Sequence, residues 1–232
     1  MDEKQLFALL QLTDSGSLSL PFVRAAHSVV VRDTRQCDQL KKNPAEIKAQ
    51  DKRDLNGHRT DNSGLLRVHS VDKAEFGTIE SLTQLDRLYE ASTANHIARR
   101  SSTRQGRSLL EASLHTFPIL EEKGMEGLGS QLPHCHHAVL HGAIMGCLDL
   151  ALEDTISSYM FGVVRTLVAT AVRLDVLGAM EGQRLQWKLQ EICADVIKRN
   201  KMRPVEQAGV KFPVLDILQN TQDTLFAKLF YS

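Results

Sequence analysis

The chain has 232 residues, and its 28 lysine and arginine residues are balanced by 28 aspartate and glutamate residues. A formal charge of zero argues against a dedicated nucleic-acid-binding protein, which normally carries a basic excess, and fits a chain whose partners are other proteins. The four scattered cysteines form no CxxC pair and the charged residues 1–4 are unlike a signal peptide, so we expect a cytoplasmic protein without disulfides.

The N-terminal part divides into an apolar and a polar half. Residues 3–12 have the spacing of a short helix that residues 13–16 end, and a second apolar piece covers residues 18–31 with Pro21 near its start. We predict that residues 1–31 form an N-terminal helical segment. Residues 32–77 are mostly polar and contain little to bury, so we predict a mobile loop or insertion there.

Helical periodicity returns after this loop. Apolar residues recur with helical spacing over residues 79–97, and a further helix is predicted over residues 103–117. The glycine-rich residues 121–133 read as a connecting loop. The next predicted helix spans residues 137–150. Gly142 and Gly146 lie four apart on one face of it, a spacing that allows close approach of a neighbouring helix.

The most apolar stretch covers residues 154–177, and only Arg165, Arg173 and Asp175 interrupt it. Two arginines make a membrane-spanning helix improbable, so we predict a helix that is buried in the core or against a partner, with the arginines holding helix ends or meeting an acid of a partner. Gly178 ends this helix and an amphipathic helix follows. We predict that this hairpin is the centre of the fold, and that a last helix over residues 214–230 docks on this chain or on another.

Together these patterns predict an all-α, single-domain helical bundle whose core is residues 78–232. The sequence contains no GxxxxGK[ST], HExxH or GxSxG motif. The one cluster with possible chemistry contains imidazoles and thiols: His134, Cys135, His136, His137, His141 and Cys147. His137 and His141 would share a helix face and are the predicted metal ligands. The alternative is that these histidines cap the helix start and pack beside the glycines.

Four stretches occur in the same order as motifs of one family. They are residues 85–89 with 98–106, the His136-His137-Ala138 start with Gly142 and Gly146, residues 168–183, and residues 213–230. The third reads as small residues followed by Arg173-Leu174, Leu177-Gly178 and Gly182-Gln183. Over roughly residues 80–232 the chain resembles UreF-type urease accessory proteins, in particular eukaryotic members.

This resemblance implies a non-enzymatic, dimeric chaperone in the nitrogen compound metabolism of the cytoplasm. Such a protein is a scaffold for complex assembly and nickel insertion into urease. It bridges a UreD/UreH-type protein and the accessory GTPase UreG, and the other partner is the urease apoprotein. No membrane, nucleic acid or tightly bound cofactor is expected, because the assembly handles nickel. The partner-binding residues are expected to be Arg173, Leu174, Leu177, Gly178, Gln183, Leu225, Phe226 and Phe230.

The N-terminal region departs from the family pattern. Residues 9–15 match its beginning, and residues 16–22 then resemble a later part of it, so a glycine-rich turn and the helices after it are expected to be missing. Two other functions stay open from the residues alone. One is a metal-binding helical protein or metal-dependent enzyme that uses the cluster from His134 to His141, and the other is a helical adaptor unrelated to urease.

Overall fold

The computed structural model describes residues 3–42 and 71–225. Within these ranges the chain forms nine α-helices, three 3-10 turns and no β-strand, which confirms the predicted all-α, single-domain class. The helices are α1 (Glu3–Lys42), α2 (Val71–Ser92), α3 (His96–Thr116), α4 (Pro118–Glu122), α5 (Leu128–Gln131), α6 (His137–Cys147), α7 (Leu152–Arg173), α8 (Ala179–Asn200) and α9 (Pro213–Asn220).

The N-terminal helix α1 is continuous over 40 residues, where the sequence predicted two short helices and then a loop. Tertiary packing overrides the weak local stop signals, since α1 contacts α2, α6, α7 and α8. Gly16 is buried in the helix, and a Cβ atom there would collide with Val196. No glycine or proline follows Pro21 until Pro44, so nothing ends the helix at residue 32.

The predicted polar loop over residues 32–77 is therefore wrong at both ends. Residues 32–42 continue α1, and residues 71–77 form the first two turns of α2. The rest of that loop lies outside the described residues. The predicted core over residues 78–232 is also too small, because Leu20, Phe22 and Val23 of α1 are fully buried in the same hydrophobic core.

The centre of the fold is α6, not the hairpin that the sequence analysis placed there. Nearly all of its residues are buried, and its most extensive contacts are with α1. Cβ atoms at Gly142 and Gly146 would meet the backbone of Val23 and His27, so the predicted close approach is confirmed and its partner is α1. His27 adds a hydrogen bond of 2.8 Å between its Nε2 atom and the Leu150 carbonyl oxygen.

The hairpin of α7 and α8 lies at the side of the core and buries only one face. Gly182 brings the two helices together, because a Cβ atom there would touch the side chains of Val168 and Val172. Arg165 and Arg173 are exposed, which corrects the predicted apolar surroundings. By length and composition α7 could cross a membrane, a test that core helices of globular proteins also pass. Here one side of α7 packs on α1, α6 and α8.

The connecting and C-terminal segments also differ from prediction. The expected loop over residues 121–133 consists of short helical turns, and α9 ends at Asn220 instead of Phe230. Asp14 links α1 to the start of α9, since its Oδ1 atom accepts hydrogen bonds from the backbone N–H of Lys211 (2.6 Å) and Phe212 (3.3 Å). Residues 226–232 lie outside the described part of the chain.

Candidate functional site

The segment before α6 is held by one buried carboxylate on α2. Oδ2 of Asp86 accepts hydrogen bonds from the backbone N–H groups of His134 (2.8 Å) and Cys135 (3.1 Å), and Oδ1 accepts one from His136 (2.8 Å). Cys135 has a positive φ of 63°, which turns three successive N–H groups towards the same side chain. Because Asp86 is fully buried, its carboxylate cannot be solvated by water. The three N–H groups near the N-terminus of α6 take the place of that solvation.

A second carboxylate lies one helical turn further along α2. The Nε2 atom of His136 donates to Oε2 of Glu90 over 2.9 Å, and Arg99 donates to Oε1 over 3.1 Å. The Nδ1 atom of His136 lies 3.2 Å from the Ser102 hydroxyl. Burial lowers the pKa of His136, while the nearby carboxylates Asp86 and Glu90 oppose this shift. The result is a neutral imidazole between a carboxylate and a hydroxyl group.

His134 completes a group of three ligand-type side chains. Its ring centroid lies 5.6 Å from that of His136, and both His134 and Glu90 are half-buried. The candidate ligand atoms of Glu90, His134 and His136 all lie within 4.8 Å of one another, which no other group of three achieves in the part of the chain described. Sequence reasoning missed Glu90, because 46 positions separate it from His136 and no local pattern joins them.

The predicted metal ligands, His137 and His141, lie together but away from Glu90, against α7. Their ring centroids are 5.8 Å apart, and both rings pack on Tyr159 at 5.2 and 5.3 Å. Burial lowers the pKa of each imidazole to about 4. The Nε2 atom of His141 lies 3.1 Å from the Ser158 hydroxyl, so it already has a hydrogen-bonding partner.

The cysteines of the predicted cluster do not extend either histidine pair. Burial raises the pKa of Cys135 and of Cys147, which keeps both thiols protonated at neutral pH and makes them weak metal ligands. The histidines also do not cap α6 with their side chains. His136 occupies the N-cap position without a side-chain capping bond, and the Ser102 hydroxyl accepts the N–H of His137, the first residue of α6, over 3.2 Å.

Most of the residues expected to bind partners are on the surface. Arg173, Leu174, Gly178, Gln183 and Leu225 are exposed, Leu177 is buried, and Phe226 and Phe230 lie outside the described residues. Three exposed apolar side chains beside this set were not predicted, namely Val176, Met180 and Trp187. The sequence could have identified Trp187, because it is a large apolar residue among polar neighbours on the amphipathic helix α8.

Comparison with known proteins identifies relatives along almost the whole chain. The UreF family model matches residues 2–190. Urease accessory protein F of Oryza sativa subsp. indica is 30% identical over 234 residues, which cover 99% of this chain and 86% of the relative. The Arabidopsis thaliana protein of the same name is 28% identical, with 75% of each chain covered. UreF of Trichodesmium erythraeum is 26% identical, with 70% of this chain and 71% of the relative covered.

These matches extend the similarity beyond the residues on which the sequence analysis based it. The family model begins at residue 2 and therefore includes α1, whereas the motifs covered only roughly residues 80–232. The segment expected to be missing after residue 15 stays a prediction.

Proposed function

The chain belongs to the UreF family, and from this premise we propose that it is a scaffold for nickel insertion into urease. It is an accessory protein and not an enzyme, as its family and its named relatives are. In this proposal a homodimer of the chain binds a UreD/UreH-type protein, the GTPase UreG and the urease apoprotein in the cytoplasm. GTP hydrolysis is performed by UreG, and the nickel ion is cargo of the assembly.

The observation that supports a scaffold is an exposed apolar surface on the α7–α8 hairpin, which we name the hairpin patch. Its members are large hydrophobic side chains with exposed fractions between 45% and 81%: Phe161, Leu174, Val176, Met180 and Trp187. Met180 and Trp187 are seven positions apart and therefore share one face of α8. Exposed large apolar side chains grouped on one hairpin are typical of protein–protein interfaces, and tryptophan is enriched at their energetic centres.

A charged side chain accompanies the patch. Arg165 is exposed on α7, one helical turn after Phe161 of the patch. Arginine is enriched at interfaces because its planar guanidinium group can bind a carboxylate through two hydrogen bonds while its stem packs on apolar surface. The hairpin therefore fits a partner surface that combines an apolar centre with acidic groups around it.

Leu174→Asp tests this function. Leu174 is 50% exposed, so the substitution should leave the fold intact while it places a charge in the buried centre of an interface. We expect the affinity for the UreD/UreH-type protein, measured by co-purification, to fall by at least about tenfold. Losing a buried leucine contact and burying an unpaired charge each cost more than about 1.4 kcal/mol. Urease activation in the reconstituted assembly should fall in parallel.

Met202→Asp is the matched control. Met202 is 71% exposed but follows the far end of α8, away from the turn that contains Leu174. Both variants should melt at the same temperature as the unmodified chain. Unchanged partner binding in Leu174→Asp, or an equal loss in Met202→Asp, would contradict the assigned surface. A molar mass equal to that of one chain, measured by light scattering, would contradict the homodimer.

A further inference from the structure

The geometry points to a binding site for a divalent transition-metal ion at Glu90, His134 and His136, which we name the α2–α6 cluster. This inference does not depend on the proposed function, because a scaffold can assemble partners without contacting a metal. Two imidazoles and one carboxylate are a donor set that suits zinc, nickel, cobalt and copper(II). Three protein ligands leave coordination positions open, so the ion would be exchangeable and not locked in place.

The three side chains need only small movements to reach one ion. Their candidate ligand atoms lie within 4.8 Å of one another, and His136 and Glu90 are 2.9 Å apart. Ligand atoms around a tetrahedral ion at about 2.0–2.1 Å are separated by roughly 3.4 Å. A side-chain movement on the order of 1 Å therefore converts the observed arrangement into a coordination shell. Glu90 and His134 are half-buried, so they can open towards solvent while His136 remains fixed.

The surroundings of His136 allow its Nε2 atom to become a ligand. Without a metal, Nε2 donates its hydrogen to Glu90, and Nδ1 accepts one from Ser102. When an ion replaces that hydrogen, the ring changes tautomer, and Nδ1–H donates to the Ser102 oxygen 3.2 Å away. A serine hydroxyl can take either role, and an outer hydrogen bond of this kind orients metal-binding histidines.

Two further groups determine how strongly the site attracts a cation. Arg99 binds Oε1 of Glu90 and opposes a second positive charge, but it leaves Oε2 available. Asp86 contributes another negative charge beneath the backbone of His134 and His136, so the carboxylates outnumber the guanidinium group. Asp86 also fixes the backbone of both histidines, which reduces the ordering that metal binding requires. We therefore expect one moderately tight site, not a structural ion needed for folding.

Titration of the full chain, without a histidine tag, with Co²⁺ tests this site. Cobalt bound by imidazoles and a carboxylate in a four- or five-coordinate site absorbs visible light far more strongly than the hydrated ion does. We expect saturation at one equivalent, and displacement by Zn²⁺ and Ni²⁺. His134→Gln keeps the backbone N–H that Asp86 binds and should weaken Co²⁺ binding by at least about tenfold.

The chain offers two matched controls. His96 forms a similar exposed arrangement, with its Nε2 atom 2.7 Å from Asp223 and Arg100 bound to the same carboxylate, but without a second imidazole. His96→Gln should not change Co²⁺ binding. His137→Gln should also bind Co²⁺ normally, because His137 packs on Tyr159 and not in the cluster.

Three results would overturn the inference. They are no saturable one-to-one absorption, unchanged binding in His134→Gln, or an equal loss of binding in either control. Partner binding is measured separately, so the scaffold proposal and the metal site can fail independently. Loss of Co²⁺ binding in His134→Gln with normal capture of the UreD/UreH-type protein would support the site and leave the scaffold unaffected.

Discussion

Replacing Asp86 with asparagine should lower the free energy of unfolding by about 3 kcal/mol. The asparagine side chain has the same shape, and its oxygen can still accept the two hydrogen bonds from His134 and Cys135 that Oδ2 now accepts. Its NH₂ group would then face the N–H group of His136, which loses its acceptor. Leaving this buried donor without a partner costs about 1–3 kcal/mol, and the two remaining bonds lose their ionic contribution.

Urea denaturation at neutral pH measures this loss. With a slope of about 2–3 kcal/mol per molar for a chain of this size, the unfolding midpoint should fall by about 1 M. Asp149→Asn is the control, since it removes an exposed carboxylate that pairs with Lys123 at 3.1 Å. An exposed ion pair contributes less than about 1 kcal/mol, and asparagine tolerates the positive φ of 57° at this position. The reasoning is refuted if the unfolding midpoint of Asp86→Asn does not fall below that of Asp149→Asn.

Two other predictions concern packing and pH. Gly106→Ala should destabilise the fold by about 2 kcal/mol, because its Cβ atom would collide with the backbone of residues 135–137. Gly162→Ala, which meets nothing within 4 Å, should instead raise stability by up to about 1 kcal/mol; equal melting temperatures would contradict both. Burial lowers the pKa of His137 and His141 from 6.5 to about 4, so the unfolded chain binds more protons between these values. The free energy of unfolding therefore has its full value above pH 6.5 and decreases as the pH falls towards 4. The decrease is about 2 kcal/mol per histidine at pH 5. The urea unfolding midpoints at pH 5 and pH 7.5 measure this loss of stability. His137→Phe, which keeps the stacking on Tyr159, should remove about half of the loss that His137 and His141 cause.

Features that depend on neighbouring residues could be predicted from the sequence. The helical class follows from apolar spacing, and the close approach at Gly142 and Gly146 follows from their separation by one helical turn. The same rule placed His137 beside His141. The exposed turn with Leu174 was identified by its resemblance to a family motif, not by a physical pattern.

Features that depend on distant residues could not be predicted. The 40-residue length of α1 is set by packing against four other helices, which outweighs the local signals at residues 13–16 and Pro21. Asp86 and Glu90 read as ordinary polar positions on an amphipathic helix. Their roles appear only when the fold brings them to residues 134–136, 46 to 50 positions away.

The histidine-rich run shows why this distinction matters for chemistry. Four histidines between residues 134 and 141 look like one cluster in the sequence, but His134 and His136 lie in the segment before α6, whereas His137 and His141 lie one turn apart on that helix. The fold therefore divides them into two environments. His134 and His136 face the carboxylate of Glu90, while His137 and His141 pack around the apolar ring of Tyr159. A carboxylate beside imidazole nitrogens compensates the charge of a bound cation, so the position of Glu90, and not the number of histidines, favours His134 and His136 as the pair that binds one.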